Sequence, residues 1–223
     1  MMFQYSPHHA ALRGLYVITD ERIAGKKSSD NHERIARAAI AGGANIIQLR
    51  AKSTPVAQQL PIARVLRDMT RAAGVLLIIN DNAQLALEAD ADGVHLGPDD
   101  VSPIEARKLL GASKIVGVSC GDTGEARIAF ANGADYIGAG AIFSTRSKDD
   151  AGAPIGLENL QKIVAATPLP VAAIGGIGLE NVTAVAKSGA AMACVISAIN
   201  NCADESEMTQ ATHALCEKFG EQS

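Results

Sequence analysis

No stretch of this sequence carries the roughly 20 consecutive apolar residues that a membrane-spanning helix needs, and even the run "VLLII" at 75–79 is cut off by Asn80-Asp81. A membrane is therefore not expected as a partner. There is no excess of positive charge either, with 20 Lys and Arg against 24 Asp and Glu for a net charge of -4, which argues against a nucleic-acid ligand. The four cysteines, Cys120, Cys194, Cys202 and Cys216, form no C-x-x-C pair, and the N-terminus lacks the basic region and apolar run of a secretory signal. The expectation is a reduced, cytoplasmic protein. What the chain does have is 223 residues that are 48% hydrophobic, enough for one soluble domain with a substantial core. Residues 1–13, with Pro7 and the pair His8-His9, show no periodicity and read as a loose arm, its histidines solvated rather than metal-bound.

From residue 14 to 223 a pattern repeats. Short apolar runs recur as "LYVIT" (15–19), "NIIQL" (45–49), "VLLII" (75–79), "GVHL" (93–96), "KIVGVS" (114–119), "YIGAG" (136–140), "VAAIG" (171–175) and "MACVIS" (192–197), with helical spacing between them. Before the second, fourth, sixth and eighth runs stand the phrases "AGGANII", "EADADGV", "ANGADYI" and "KSGAAMA". In each, a glycine or small acid ends a helix and turns the chain inward, as a left-handed cap would. Eight strands alternating with helices in a two-unit repeat favour a single α/β domain, a closed (β/α)8 (TIM) barrel, over an open doubly wound sheet.

A barrel of this kind works at the ends of its strands. Those ends carry Thr19 and Asp20; Gln48, Arg50 and Lys52; Asn80 and Asp81; His95, Asp99 and Asp100; Ser119 and Cys120; Thr145, Arg146, Ser147 and Lys148; Gly175 and Gly176; and Ser197, while strand interiors read as apolar almost throughout. Strand alternation places Gln48, Arg50 and Lys52 on one face. Together with Lys148 the cations match a multiply charged oxyanion, although either lysine alone reads as an ordinary surface residue. Asp81 and Asp100 are candidate Mg²⁺ ligands, since magnesium takes one or two carboxylates plus substrate phosphates. Asp99 and Asp100 also suit a helix start, but Ser102-Pro103 is the better cap and leaves Asp100 free. The glycine-rich "AAIGGIGLEN" after the seventh strand and "VISAIN" after the eighth lie where this fold usually binds phosphate. "GKKSSDN" (25–31) reads as a polar segment that either closes over the site or stays a solvated loop.

Taken in order, "LYVITD", "IIQLRAK", "IINDNAQLALEADADGVHLGPDD", "IVGVSC", "GADYIGAGAIFSTRSK", "PVAAIGGI" and "VISAI" span nearly the whole chain, and the sequence resembles the thiamine-phosphate synthase family. The resemblance implies a (β/α)8 barrel that joins 4-amino-2-methyl-5-hydroxymethylpyrimidine diphosphate to a thiazole phosphate and releases diphosphate with the help of Mg²⁺. It implies Gln48, Arg50, Lys52, Asn80, Ser119 and Lys148 around the pyrimidine diphosphate, with Arg50, Lys52, Ser119 and Lys148 acting on the leaving group. Asp81 and Asp100 would hold the metal. Thr145, Ser147, Gly176, Ile196 and Ser197 would receive the thiazole phosphate. Because the thiazole nitrogen has no proton to lose, no Ser-His-Asp or Cys-His arrangement is required, and Cys120 reads as a small packed residue. Two positions depart from the common pattern: Gly121 stands where many members have histidine, and Ala51 where an acid is frequent.

Three other readings share parts of this inventory. A thiazole tautomerase of the same superfamily would lack the full diphosphate and metal set. A Schiff-base aldolase would use Lys52 as nucleophile. A non-catalytic phosphate sensor would keep "GGIG" and lose the acids. The partners expected are the small-molecule substrates, and a homo-oligomer is compatible with the sequence.

Overall fold

A computed structural model describes residues 9–23, 26–145, 147 and 152–221. Eight parallel strands close into a barrel: β1 (Gly14–Ile18), β2 (Ile46–Leu49), β3 (Leu76–Asn80), β4 (Gly93–Leu96), β5 (Ile115–Cys120), β6 (Tyr136–Ala139), β7 (Val171–Ile174) and β8 (Met192–Val195). Closure is made by β1, which pairs in parallel with both β8 and β2, so the open-sheet alternative is excluded. Around the barrel run α1 (Asn31–Ala41), α2 (Val56–Ala73), α3 (Ala83–Glu88), α4 (Pro103–Leu110), α5 (Thr123–Ala131), α6 (Gly156–Ala166), α7 (Val182–Lys187), α8 (Ser197–Asn200) and α9 (Glu205–Gly220).

The turns expected from the repeated phrases are left-handed in all four places: Gly43 at φ 93°, Asp90 at 50°, Gly133 at 80° and Gly189 at 85°. A side chain with a Cβ rarely adopts that conformation, which explains glycine at three of them and a short acid at the fourth. Helix starts follow the same local logic. Ser102 caps α4 in a reciprocal capping box with Glu105, and Asp122 accepts from the amides of Gly124 and Glu125 at the start of α5. Asp100 is thus released from capping duty.

Strand alternation splits the apolar residues into two layers. Leu15, Val17, Ile47, Leu49, Leu77, Ile79, Val94 and Val116 face outward and pack with helix residues such as Leu66, Leu160 and Leu215. Tyr16, Ile18, Ile46, Ile78, Ile115, Tyr136 and Met192 fill the barrel, with Leu12 joining them. The expectation of apolar strand interiors therefore holds for the outer layer and for most of the inner one. Inside the barrel Tyr16, Gln48, His95 and Tyr136 are all buried polar side chains.

The polar segment after β1 is not a free loop over its described part. Lys26–Lys27 pairs with Arg22–Ile23, and buried Asn31 donates to the carbonyls of Glu21 and Lys26, at 2.7 and 2.8 Å. Gly25 lies outside the described residues, as do His8 and the side chain of His9.

Candidate active site

The strand ends surround a cavity of about 810 Å³. Arg50, Lys52, Asn80, Asp81, Asp100, Ser119, Thr145, Ser147, Gly176, Ile196 and Ser197 all line it, so eleven positions expected from sequence meet in one space. Lys148 and Arg146 lie outside the described residues. Gln48 does not line the cavity: it is 2% exposed and sits behind it, inside the barrel. The expected face of Gln48, Arg50 and Lys52 is correspondingly broken, because β2 ends at Leu49 and both cations come from the loop that follows.

At the acidic end, Asp81 and Asp100 are close enough to share a proton. Burial, the charge of Asp100 and a hydrogen bond with it raise the Asp81 carboxyl to about 6, against the pull of Lys52 and Arg50. Two like charges held together in this way are the donor set of a hard cation. Asp81 is aimed by its backbone, which is left-handed at φ 65° and whose N–H donates to the carbonyl of His95 at 2.8 Å. Asp100 is fixed by the Gly97 amide, 2.7 Å from Oδ2. Among the described residues no group of three or more His, Cys, Asp or Glu could hold a metal, so these two carboxylates stand without a third such side chain.

The cations flank this pair. Lys52 Nζ stands 3.9 Å from Asp81 Oδ2, and Arg50 Nη1 3.7 Å from Asp20 Oδ2. Arg50 is held deep, with a side chain 10% exposed and a buried Nε that has no partner among the described residues. A buried guanidinium with an unused donor is prepared for an anion. The loop carrying Lys52 is pinned by Glu21, a residue that sequence reasoning missed. Its carboxylate accepts from the Ser53 amide at 2.9 Å, the Thr54 hydroxyl at 2.7 Å and the Ser53 hydroxyl.

Opposite, the glycine turn after β7 offers backbone. Gly176 has φ 64°, and a Cβ there would fall 2.6 Å from the Ser144 carbonyl oxygen. Its amide has no acceptor among the described residues. Asn181, also missed, ties the turn by donating to the Gly176 carbonyl and accepting from the Gly178 amide, both at 2.9 Å. Its only sequence signal is an asparagine five residues past a glycine pair. On the same side Thr145 Oγ1 accepts from the Ser147 amide at 3.2 Å.

Of the two positions that depart from the common pattern, Gly121 lines the cavity and Ala51 is buried away from it. Cys120 also lines the cavity, but burial, with Glu125 and Asp122 nearby, pushes its thiol up to about 12, so it offers no thiolate nucleophile.

Closed barrel, paired acids, cations and a glycine turn define a (β/α)8-barrel protein with its charged cluster and its glycine turn gathered around one cavity at the strand ends. The sequence profile described as thiamine monophosphate synthase matches residues 15–199. Thiamine-phosphate synthase of Moorella thermoacetica is 46% identical over 190 residues, covering 85% of this chain and 89% of that one. That of Pyrococcus furiosus is 41% identical over 204 residues, covering 92% and 95%. The solved structure of thiamine phosphate pyrophosphorylase from Pyrococcus furiosus superposes with a TM-score of 0.84 at 39% identity, covering 96% of this chain and 98% of that one. A 3-hexulose-6-phosphate synthase structure, at 20% identity and TM-score 0.69, shares the fold alone. The chain belongs to the thiamine monophosphate synthase family, and with it to the transferases of thiamine biosynthesis.

Proposed function

We propose that this enzyme couples 4-amino-2-methyl-5-hydroxymethylpyrimidine diphosphate with 4-methyl-5-(2-phosphoethyl)thiazole, or its carboxylated form, to give thiamine phosphate and diphosphate in the cytoplasm. The observation that carries the reading is the pairing of Asp81 with Asp100 beside Lys52 and Arg50, across one cavity from the glycine turn at Gly176. A diphosphate needs the first set and a single phosphate the second.

The pyrimidine diphosphate lies against Arg50, Lys52, Asn80, Ser119 and Lys148. Gln48, which the resemblance also assigns to the pyrimidine, lies beneath the cavity and supports it from behind; its buried carbonyl oxygen has no partner among the described residues. The thiazole phosphate is received by Thr145 and Ser147, by the free amide of Gly176, and by Ile196 and Ser197. Asp81 and Asp100 would hold Mg²⁺, and their donor chemistry fits it: two carboxylates, with the remaining positions left to phosphate oxygens and water. Bound there, Mg²⁺ supplies charge neutralisation at the diphosphate oxygens.

The chain's own side chains act on the leaving group. The thiazole nitrogen donates its lone pair to the pyrimidine methylene, the C–N bond forms, and the C–O bond breaks with its electron pair going to diphosphate. Arg50, Lys52 and Lys148 stabilise the charge that develops on those oxygens. No proton is removed from the nucleophile, so no general base is needed.

The test is formation of thiamine phosphate from the two substrates, followed by mass with and without Mg²⁺. Product that vanishes with chelator is expected, and no product from folded protein would overturn the reading. Arg50→Ala is expected to lower turnover by at least about a hundredfold, on the scale of a lost transition-state charge contact, with the fold retained by circular dichroism.

A further inference from the structure

We propose that Tyr16, Tyr136 and His95 are positioning residues: a one-way chain of hydrogen bonds starting at Gln48 presents Ser119 to the cavity as a hydrogen-bond donor. The chain crosses the barrel interior. Gln48 Nε2 lies 2.7 Å from Tyr16 Oη, Tyr16 Oη 3.0 Å from Tyr136 Oη, Tyr136 Oη 2.9 Å from His95 Nδ1, and His95 Nε2 3.0 Å from Ser119 Oγ. Of these residues, His95 and Ser119 reach the cavity, and Gln48, Tyr16 and Tyr136 lie behind it.

Direction is decided at the buried end. An amide nitrogen can only donate, so Tyr16 Oη accepts and turns its own O–H to Tyr136. Tyr136 then gives its proton to His95 Nδ1, which places the ring proton of a neutral imidazole on Nε2, facing Ser119. Ser119 Oγ accepts, and its own O–H has no acceptor among the described residues, so it is left for a ligand in the cavity. Turning the Gln48 amide over would reverse every bond and direct the serine proton to His95. It would also leave both N–H groups of the amide without an acceptor among the described residues, which costs more than the one unpaired N–H and the unpaired carbonyl oxygen of the arrangement found. Burial pushes both phenols well above their ordinary range, so neither becomes a phenolate and the chain conveys orientation rather than charge.

Neighbouring strands leave room for these rings. A Cβ at Gly117 would fall 2.1 Å from Tyr136 Cζ, and one at Gly138 2.9 Å from His95 Cε1. An interior needed only for packing would fill those places with branched aliphatic residues, without the desolvation cost of two phenols, an amide and an imidazole. A serine held as donor suits phosphate oxygens and ring nitrogens, which only accept. In that respect the inference rests on the placement of pyrimidine diphosphate at Ser119.

The experiment begins with ligand-free protein labelled with ¹⁵N-histidine, where the His95 ring is expected as the single Nε2–H tautomer. Tyr136→Phe removes the donor to Nδ1, and a mixture of tautomers is expected. The affinity for inorganic pyrophosphate with Mg²⁺, by calorimetry, should fall about threefold to tenfold, the scale of one weakened charge-assisted hydrogen bond. In a Ser119→Ala background the same change should have no further effect. An Nδ1–H tautomer in the wild type, an unaltered tautomer in Tyr136→Phe, or losses that multiply in the double variant would each overturn the proposal. The wild-type tautomer decides the direction even if Tyr136→Phe does not fold. Failure of the wild type to bind pyrophosphate would overturn the site reading instead, and leave the tautomer to judge the chain.

Discussion

At the scale of single residues, the cavity is governed by the cost of keeping like charges together. Between the ordinary carboxylate range and the value of about 6 to which Asp81 is raised, folded protein binds a proton that unfolded chain releases. The stability of metal-free protein should therefore decline as pH rises through that window, and Asp81→Asn should abolish the decline in denaturant titrations while lowering turnover. Magnesium competes with the proton that the raised Asp81 carboxyl binds. Its affinity is accordingly expected to climb from about pH 5 to about pH 7 and then level off, which calorimetric titration at several pH values would show. A flat profile would mean that Asp81 is not a ligand. Arg50, Asp81 and Ser119 were legible from sequence because each stands at a strand end that apolar periodicity marks. Glu21 was not, because what singles it out is contact with Ser53 and Thr54, which are 32 and 33 residues away along the chain.

Among elements, the loops rather than the strands carry precision. Burial pushes the Glu21 carboxyl up, but hydrogen bonds from Ser53 and Thr54, helped by Lys27, outweigh it and hold the group below its ordinary range. The clamp on the Lys52 loop is thus fully present above the unfolded value and is lost as pH falls through the folded one. Glu21→Ala should cost about 1–3 kcal/mol, the scale of lost hydrogen bonds to a charged group that leave donors unpaired. It should also raise KM for the pyrimidine diphosphate more than it lowers kcat, as steady-state kinetics would report. Gly176 makes a different demand. Alanine there meets both a left-handed backbone and the Ser144 carbonyl, so Gly176→Ala should weaken thiazole phosphate binding with little change in affinity for pyrophosphate. Equal loss at both ligands would place the turn elsewhere in the reaction.

For the whole molecule, closure joins first strand to last, and α9 covers the seam. Met208, Leu215 and Phe219 on α9 are 0%, 0% and 3% exposed, packed into the layer between barrel and helices. Leu215→Ala should cost about 2–5 kcal/mol through the cavity it leaves, measured by denaturant unfolding, and should lower stability without altering kcat in protein that remains folded. No helix among the described residues is long and apolar enough to cross a membrane, in keeping with the broken apolar runs of the sequence.

Local chemistry was readable along the chain because it depends on near neighbours. Strand periodicity, left-handed turns at Gly43, Asp90, Gly133 and Gly189, and the Ser102 cap all follow from steric and hydrogen-bonding rules that act over a few residues. They were enough to expect eight strands, their helices and most of the rim. Tertiary structure alone decided which way the interior faces. Gln48 shares the parity of Arg50 and Lys52 in sequence, yet it lies beneath the cavity because β2 ends one residue later and barrel closure brings Tyr16 beside it. The line from Gln48 through Tyr16, Tyr136 and His95 to Ser119 joins strands 24 to 120 residues apart, and only the curvature of a closed sheet brings such distant side chains within hydrogen-bonding reach.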